Sequence, residues 1–284
     1  MKKIIKLEFK EEYNLIHTFE CGQIFRFESF DQGKIYYGPL EDRIIKITQI
    51  SPNVLQIESN NEKDLKNLVN RFFRTQDDYF EMIKSISIDN IMQEIVRTCY
   101  GLHVIQQDKF ECCIAYLLSQ NSNIARIKKN LFDLSKLYGD EIEYDGYKFY
   151  LFPKRESLLN LDINDFEDLG FGYRSKYIYE FIQNYPKFLD EPISDFEEFN
   201  KKLLKIKGIG QKVADCIQMF AFGNLEVFII DTWMKKFMLK NYYKETKKRL
   251  EKELRELGKK MFGKWAGYAQ EFIFRYIRKY NKFI

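Results

Sequence analysis

Apolar and polar positions alternate along roughly the first sixty residues in the way that β-strands require. We predict strands at 24–28, 34–37, 43–47 and 54–57, because each segment is short and rich in β-branched or aromatic residues. Turn-forming residues separate them: Asp31-Gln32-Gly33, Gly38-Pro39 and Ser51-Pro52-Asn53. The pattern predicts an antiparallel sheet with one covered face.

From about Asn61 the apolar positions recur with the period of a helix. Leu65, Leu68, Val69 and Phe72 follow i, i+3, i+4, i+7 spacing and form one apolar stripe. The same period predicts helices at about 89–100, 108–119, 123–138, 175–189, 195–206, 211–222, 232–240, 245–257 and 264–280. A small hairpin is expected at 144–152.

Two helix starts carry a recognisable signal. Ser194 and Glu197 have capping-box spacing, and Asp231 stands where an N-cap would stand. Together the elements predict an α+β protein, with a β-rich domain at 1–100 and a mostly helical body at 101–284.

Composition adds little about partners but bounds the class of protein. The chain has 284 residues, 45% of them hydrophobic and 17% aromatic, which is ample for a buried core. Its net charge is only +4, too balanced to indicate a partner. Apolar runs stay short of the roughly 18–20 residues of a membrane span, and the N-terminus has no signal-peptide core. We expect a soluble, cytoplasmic, monomeric protein that binds no membrane.

The small numbers of histidines and cysteines limit the kinds of active site that the chain could form. There are two histidines, His17 and His103, and the five cysteines at 21, 99, 112, 113 and 216 show no C-x-x-C pair. A zinc site, an iron–sulfur cluster or a histidine-based triad is therefore not expected. Any catalysis should depend on Lys, Asp, Glu, Tyr or backbone groups.

The hairpin at 195–222 is the most informative segment. Gly208 and Gly210 flank Ile209 between two amphipathic helices, so the turn can be tight and the backbone can approach a partner closely. Free amides at the start of the second helix could hold a phosphate. Locally, nucleic-acid binding and an ordinary αα-hairpin remain equally good interpretations.

Through this hairpin the chain resembles the helix-hairpin-helix family of DNA glycosylases, and within it the eukaryotic-type 8-oxoguanine glycosylase/lyases, as a bacterial member. The hairpin ends in Lys212, and Asp231 follows 19 residues later. Further blocks come in the family's order: Cys21-Gly22-Gln23-Ile24-Phe25-Arg26, Ser119-Gln120-Asn121-Ser122-Asn123-Ile124-Ala125-Arg126, Gly170-Phe171-Gly172-Tyr173-Arg174 and Trp265-Ala266-Gly267-Tyr268-Ala269-Gln270. The resemblance covers nearly the whole chain.

The resemblance implies base excision repair of 8-oxoguanine in double-stranded DNA. Lys212 would attack the sugar and form a Schiff base through which the strand is nicked, and a lysine amine attacks only when neutral. Asp231 would stabilise oxocarbenium character on the sugar. Without the resemblance, Lys212 reads as a solvated surface lysine and Asp231 as a plain N-cap.

The resemblance also implies a pocket for the damaged base. The Gly22 carbonyl would accept a hydrogen bond from N7–H, a donor that guanine lacks, for about 1–3 kcal/mol. Gln270 would read the Watson–Crick edge, while Phe274 and Cys216 would lie on opposite sides of the base. Taken singly, Gly22 suits a turn, Phe274 the core, Cys216 a buried apolar site and Gln270 the surface.

A flipped base leaves a gap and an orphaned partner. By resemblance, Asn121 would fill the gap, Tyr173 would wedge the duplex, and Arg126 and Arg174 would read the partner base. Guanidinium donors match the N3 and O2 acceptors of cytosine, so we expect preference for 8-oxoguanine opposite cytosine. Each arginine could equally be a solvated surface charge.

Several positions depart from the family or cannot be judged from side chains. Ile230 precedes Asp231 where Pro or Val is usual, and Trp233 stands where eukaryotic members have a histidine near the phosphate. The resemblance assigns DNA-backbone contacts to Gly208, Gly210 and Gln211. No cofactor is required, although carbonyls of Leu204, Ile206 and Ile209 could hold a structural cation.

Three alternatives stay open. A monofunctional alkylation-repair glycosylase, acting on another damaged base, would share the hairpin and aspartate without needing Lys212. An endonuclease-III-like enzyme would add a four-cysteine cluster, which is absent after Trp265. A non-catalytic helix-hairpin-helix DNA-binding module would leave Lys212 and Asp231 incidental.

Overall fold

The N-terminal part of the protein is built on an antiparallel sheet. The computed structural model describes residues 3–243, 250–281 and 283. Within these residues the sheet has five strands, in the spatial order β1-β5-β4-β3-β2. The strands are β1 Lys3–Glu8, β2 Glu28–Phe30, β3 Ile35–Leu40, β4 Arg43–Ser51 and β5 Val54–Ser59. The predicted antiparallel sheet is confirmed, and β1 is an additional strand.

Two local predictions in this region are wrong. Residues 24–27 are not a strand, because β2 begins only at Glu28. Gly38-Pro39 is not a turn but lies within β3, opposite Ile45 and Ile44. Since β2 pairs only with residues 35–37, the end of β3 is an edge where proline's missing N–H is tolerated.

The sheet is covered on both faces, not on one as predicted. Ile45 and Ile47 pack with Phe19 and Phe72 on one side. On the other side Ile44 belongs to a smaller cluster with the hairpin of β6 (Glu141–Tyr144) and β7 (Tyr147–Tyr150). This hairpin is the one expected at 144–152, a few residues earlier.

Helices form most of the remaining chain. They are α1 Leu15–Phe19, α2 Leu65–Phe72, α3 Tyr79–Ile86, α4 Asn90–Thr98, α5 Lys109–Leu118, α6 Ile124–Tyr138, α7 Arg155–Leu158, α8 Ile163–Asp168, α9 Ser175–Gln183, α10 Phe196–Leu203, α11 Gln211–Phe222, α12 Thr232–Asn241, α13 Leu250–Phe262 and α14 Ala266–Tyr280. The predicted α+β class is therefore confirmed. The helix expected at 245–257 corresponds to α13, and its first part, 245–249, lies outside the described residues.

Most predicted helices keep their bounds within a few residues, with two corrections. Asp195, not Ser194, caps α10, because its carboxylate accepts the backbone N–H groups of Glu197 and Glu198. The helix expected at 175–189 ends at Gln183, and a 3₁₀ turn follows at Lys187–Leu189. Asp231 does cap α12, as predicted.

One hydrophobic core joins the N-terminal segment to the helices. Cys21 and Phe25 pack in the same cluster as the buried residues of α5, α11 and α14. In α5, every residue from Cys112 to Leu118 is buried. The helices in the described ranges are all too short or too polar to cross a membrane. The shared core fixes Gly22, just after Cys21, against the helical body.

Candidate active site and nucleic-acid interface

The turn between α10 and α11 presents a helix N-terminus at the surface. Gly208 has φ of 87°, and a Cβ there would lie 2.6 Å from Cγ of Tyr177, so glycine is needed on both counts. Gly210 is the N-cap of α11 and provides no side-chain cap. The side chain of Gln211 donates to Asn200 and Asp215, while Ile209 is buried. The first amides of α11 are thus left for an external anion.

Lys212 extends from the first turn of α11 toward the end of α5. Its Nζ donates a hydrogen bond to Ser119 Oγ at 3.0 Å and lies 5.4 Å from the ring centroid of Tyr116. Among the residues that the structure describes, Lys212 forms no ion pair with a carboxylate. Its amine therefore has neutral neighbours in direct contact, which suits a group that must react uncharged.

The carboxylate of Asp231 caps a helix and also lies close to positively charged groups. Its Oδ1 accepts the backbone N–H of Met234 at 2.7 Å and so caps α12. Burial raises the pKa of Asp231. That rise is opposed by hydrogen bonds from the backbone amides of Met234 and Trp233 and by the positive charges of Lys212 and Arg278. The carboxylate is held next to positive charge and away from bulk water.

A cavity of about 530 Å³ brings these two residues together with others from distant segments. Lys212, Asp231, Gly22, Phe274 and Asn121 all line it. Trp233 and Arg278 also line the cavity, and Arg278 was not among the predicted site residues. A sequence signal for Arg278 existed, since it follows Phe274 by four residues on α14.

The predicted base pocket is closed in this structure. Gly22 has φ of 107°, and a Cβ there would lie 2.6 Å from Cδ1 of Ile124 and 3.4 Å from Cε1 of Phe274. Cys216 and Gln270 are only 2% and 3% exposed and lie behind the cavity wall. Gln270 is thus buried, and its Oε1 has no hydrogen-bond partner in the described part of the chain.

Asn121 lines the cavity, and Tyr173 and Arg174 contact the backbone of the segment that contains it. Arg126 does not line the cavity but contacts Gly170, close to Tyr173 and Arg174 in the chain. Asn121 adopts a left-handed backbone conformation, with φ of 45°, between α5 and α6. The hydroxyl of Tyr173 donates to the Gln120 carbonyl at 3.2 Å, and its side chain is 49% exposed. These contacts join the segment at 119–126 to the segment at 170–174.

The two arginines differ in how freely they could meet a ligand. Arg174 is buried and donates to the carbonyls of Gln120 and Asn121, each at 2.8 Å, so it is not a solvated surface charge. Arg126 is exposed and donates to the Gly170 carbonyl through one nitrogen at 3.0 Å. Arg126 therefore keeps more of its donors available.

Glu271 is a buried carboxyl that sequence reasoning did not single out. It adjoins Gln270 on α14, is 4% exposed, and its Oε2 has no hydrogen-bond partner among the described residues. Burial raises the pKa of Glu271 to about 7, with Asp231 adding to the rise and Cys21, Arg278 and Lys212 opposing it. This group is electrostatically coupled to the cavity residues.

Side chains do not build a metal site in the described ranges. No group of three or more His, Cys, Asp or Glu residues in those ranges could hold a metal ion. In the hairpin turn, the Ile206 carbonyl already accepts the N–H of Ile209 at 3.0 Å.

Comparison with known families covers most of the chain. Residues 6–113 match the N-terminal domain of 8-oxoguanine DNA glycosylase, and residues 114–260 match the HhH-GPD superfamily of base excision DNA repair proteins. The chain belongs to the HhH-GPD superfamily. The resemblance noted from the sequence blocks is confirmed.

Individual superfamily members agree with this assignment. The chain is 29% identical to the Arabidopsis thaliana N-glycosylase/DNA lyase OGG1 over 93% of its own length and 77% of that protein. It is 26% identical to a probable N-glycosylase/DNA lyase of Methanothermobacter thermautotrophicus over 62% of each chain. The crystal structure of the Clostridium acetobutylicum 8-oxoguanine glycosylase/lyase with double-stranded DNA containing cytosine opposite 8-oxoG is 29% identical, with a TM-score of 0.87 over 98% of this chain and 99% of that one.

Proposed function

We propose that this protein is a bifunctional 8-oxoguanine DNA glycosylase and abasic-site lyase of base excision repair. The observation that carries the proposal is that Lys212 and Asp231 line one cavity beside the exposed N-terminus of α11. The superfamily assignment and the names of its similar members support the same activity. The protein acts on double-stranded DNA.

The reaction uses one amine and one carboxylate. The neutral Lys212 amine attacks C1′ of the sugar, the N-glycosidic bond breaks, and its electron pair leaves with the base. Asp231 stabilises the positive charge that develops on the sugar. The bound amine then opens the sugar to a Schiff base. Loss of a C2′ proton expels the 3′ phosphate and nicks the strand.

Two acceptors recognise the lesion in this proposal, the backbone carbonyl of Gly22 and the side chain of Gln270. The Gly22 carbonyl accepts N7–H of 8-oxoguanine, and Gln270 reads the Watson–Crick edge once Phe274 has moved to stack on the base opposite Cys216. Burial of the unpaired Gln270 Oε1 supports this role, because a donor on the base would satisfy it. Guanine lacks the N7–H and meets the carbonyl with a lone pair.

The opposite strand is read by Asn121, Tyr173, Arg126 and Arg174. Asn121 fills the vacated stack and Tyr173 wedges the duplex, while the two arginines donate to cytosine. The solved Clostridium acetobutylicum complex, which holds cytosine opposite 8-oxoG, supports that preference. The backbone of Gly208, Gly210 and Gln211 holds a DNA phosphate. The carbonyls of Leu204, Ile206 and Ile209 would be the groups that hold a structural cation near that turn. Catalysis itself requires no cofactor.

Borohydride trapping with an 8-oxoguanine duplex tests the proposal. The wild-type protein should form a covalent adduct and release 8-oxoguanine, whereas Lys212→Gln should bind the duplex without trapping. Binding without either product would identify a DNA-binding module. Excision of another damaged base in place of 8-oxoguanine would point to the alternative glycosylase.

A further inference from the structure

Helix α14 carries a stripe of side chains toward the active-site cavity. Gln270, Phe274 and Arg278 follow i, i+4, i+8 spacing, which places them along one face of the helix. Gln270 is buried, Phe274 is half-buried and Arg278 is exposed. Arg278 therefore stands at the outer end of the stripe, where it lines the same cavity as Lys212 and Asp231.

The guanidinium of Arg278 lies over the ring of Phe274 and close to Gly22, and its N–H groups are unpaired among the described residues. Its central carbon is 5.4 Å from the ring centroid of Phe274, and Nη1 is 3.1 Å from where a Cβ on Gly22 would be. In the part of the chain that the structure describes, Arg278 forms no hydrogen bond or ion pair. Arg126 and Arg174, in contrast, both donate to backbone carbonyls. Arg278 keeps its full set of donors for a ligand.

The neighbouring helix end cannot take the place of this cation. Asp231 caps α12 by accepting the Met234 amide, and the Trp233 amide also interacts with the Asp231 carboxylate. The first-turn amides of α12 that would otherwise attract an anion are therefore directed to Asp231, and the Trp233 side chain carries no charge. Arg278 therefore supplies positive charge and unpaired donors at this wall of the cavity, among the residues that the structure describes.

The ligand chemistry follows from the donor set. A guanidinium presents planar paired N–H groups that match two oxygens of a phosphate, and such charge-assisted contacts are stronger than neutral ones. Burial raises the pKa values of Asp231 and Glu271, and the positive charge of Arg278 opposes that rise. Neither carboxylate pairs with it directly in the described ranges, so an external anion can.

We propose that Arg278 binds a phosphodiester that flanks the extruded nucleotide and so strengthens binding of the duplex at the cavity that Lys212 lines. The inference rests on the proposed function, because it assumes that a nucleotide of duplex DNA enters this cavity. It adds a substrate-binding residue to the wall of the site at which Trp233 offers no charge.

Steady-state kinetics on an 8-oxoguanine duplex provide the first test. Arg278→Gln should raise KM by about 10- to 100-fold and leave kcat within about twofold, since a phosphate contact is made in ground and transition states alike. The slope of log KM against log salt should fall by about one. Arg278→Lys should recover part of the loss. An unchanged KM in Arg278→Gln would overturn the proposal.

Lys279→Gln is the matched control, because it removes one positive charge from the next position of the same helix. Lys279 is exposed and lies over the ring of Tyr280, and it acts electrostatically on His17 and Cys99 on the other side of α14. Its KM and salt slope should stay near the wild-type values. An equal effect of both variants would indicate general charge loss and contradict a specific contact.

Methylphosphonate substitution separates a phosphate contact from a base contact. A neutral methylphosphonate is placed either 5′ or 3′ of the lesion, and binding is measured by fluorescence anisotropy in the Lys212→Gln background. At one of the two positions the substitution should weaken binding when Arg278 is present and have little further effect with Arg278→Gln. Additive losses at both positions would overturn the proposal and favour a base contact. Absence of a wild-type borohydride adduct would instead count against the proposed function.

Discussion

The carboxylate of Asp231 joins two roles that substitution can separate. It caps α12 through the Met234 amide and faces the cavity that Lys212 lines. Asparagine caps helices about as well as aspartate, but it carries no charge. The structural and the electrostatic contributions of the residue should therefore respond differently to the same substitution.

Asp231→Asn should keep the fold and lose the reaction. We expect its stability to change by less than about 1 kcal/mol, and its single-turnover excision rate to fall by about 100-fold or more. Thermal unfolding and single-turnover assays measure the two effects. Asp195→Asn, which changes the N-cap of α10 in the same way, should alter neither. Normal turnover by Asp231→Asn would refute a catalytic role.

The buried carboxyl of Glu271 should make the free energy of unfolding depend on pH. Its pKa rises from 4.5 to about 7 on burial, so the folded protein keeps a proton that the unfolded chain loses above about pH 4.5. The destabilisation from Glu271 therefore grows from about pH 4.5 to about pH 7 and is constant above that. Glu271→Gln should gain about 2–3 kcal/mol relative to wild type between pH 5 and pH 8. Urea unfolding at both pH values tests this, and a pH-independent difference would contradict it.

At the scale of elements, the hairpin turn between α10 and α11 offers two glycines in different situations. A Cβ at Gly208 would meet the side chain of Tyr177 at 2.6 Å, and its φ is 87°. A Cβ at Gly210 would meet nothing within 4 Å, because the position faces open space at the N-terminus of α11. The fold requires glycine at 208, whereas at 210 a side chain would meet only open space.

Substitution of each glycine by alanine should separate these effects. Gly208→Ala should destabilise the protein by about 1–3 kcal/mol and weaken DNA binding as well. Gly210→Ala should unfold at nearly the wild-type temperature yet bind duplex DNA more weakly, since its methyl group would occupy the space next to the α11 amides. Calorimetry and anisotropy compare the pair. Unimpaired binding by Gly210→Ala would argue against a phosphate at this helix end.

The elements differ in how far sequence alone predicts them. Helix α6, which the side chain of Asn123 caps, and helix α11, which ends at Gly223 in a left-handed conformation, appear within about two residues of their predicted bounds. Strand β1 was not predicted, because only pairing with the distant β5 defines it, as in Lys3 opposite Ser59. Helix α3 was also not predicted, since it is short and surrounded by polar residues.

Sequence alone also predicts only some of the residues of the candidate site. Spacing and motif order indicated Lys212 and Asp231, which do line one cavity. The burial of Gln270 and the unused donors of Arg278 depend on how α14 packs against distant segments. The spacing of four residues from Phe274 places Arg278 on the same face of α14, but only the tertiary arrangement shows that this face lines the cavity and that the Arg278 donors are unused.

At the scale of the whole molecule, the sheet and the helical body act as one unit. The boundary between the two family matches, at residues 113 and 114, falls inside the buried helix α5. Arg26 crosses the same junction: its guanidinium donates to Ser135 Oγ and to the Tyr150 carbonyl, each at 2.7 Å, and pairs with Glu111 at 3.5 Å. Breaking that contact should loosen both parts together.

Arg26→Gln should destabilise the whole protein by about 3–5 kcal/mol, because it leaves the carboxylate of Glu111, of which only 19% is exposed, without its cation. Burial already raises the pKa of Glu111 to about 7, and Arg26 opposes that rise. Chemical unfolding followed by far-ultraviolet circular dichroism and tyrosine fluorescence measures the loss. Arg71→Gln, which removes an exposed pair with Glu41, should cost less than about 1 kcal/mol. Equal effects of the two variants would contradict the junction role of Arg26.

The burial of the cysteines affects how readily oxidants can modify the protein. All five thiols are free and buried. Burial raises the pKa of Cys21, beside Gly22, well above its usual range, and it raises the pKa of Cys216 to about 12. Peroxide attacks the thiolate, so protonated and shielded thiols react slowly. A repair enzyme built in this way resists inactivation by the same oxidants that create its substrate.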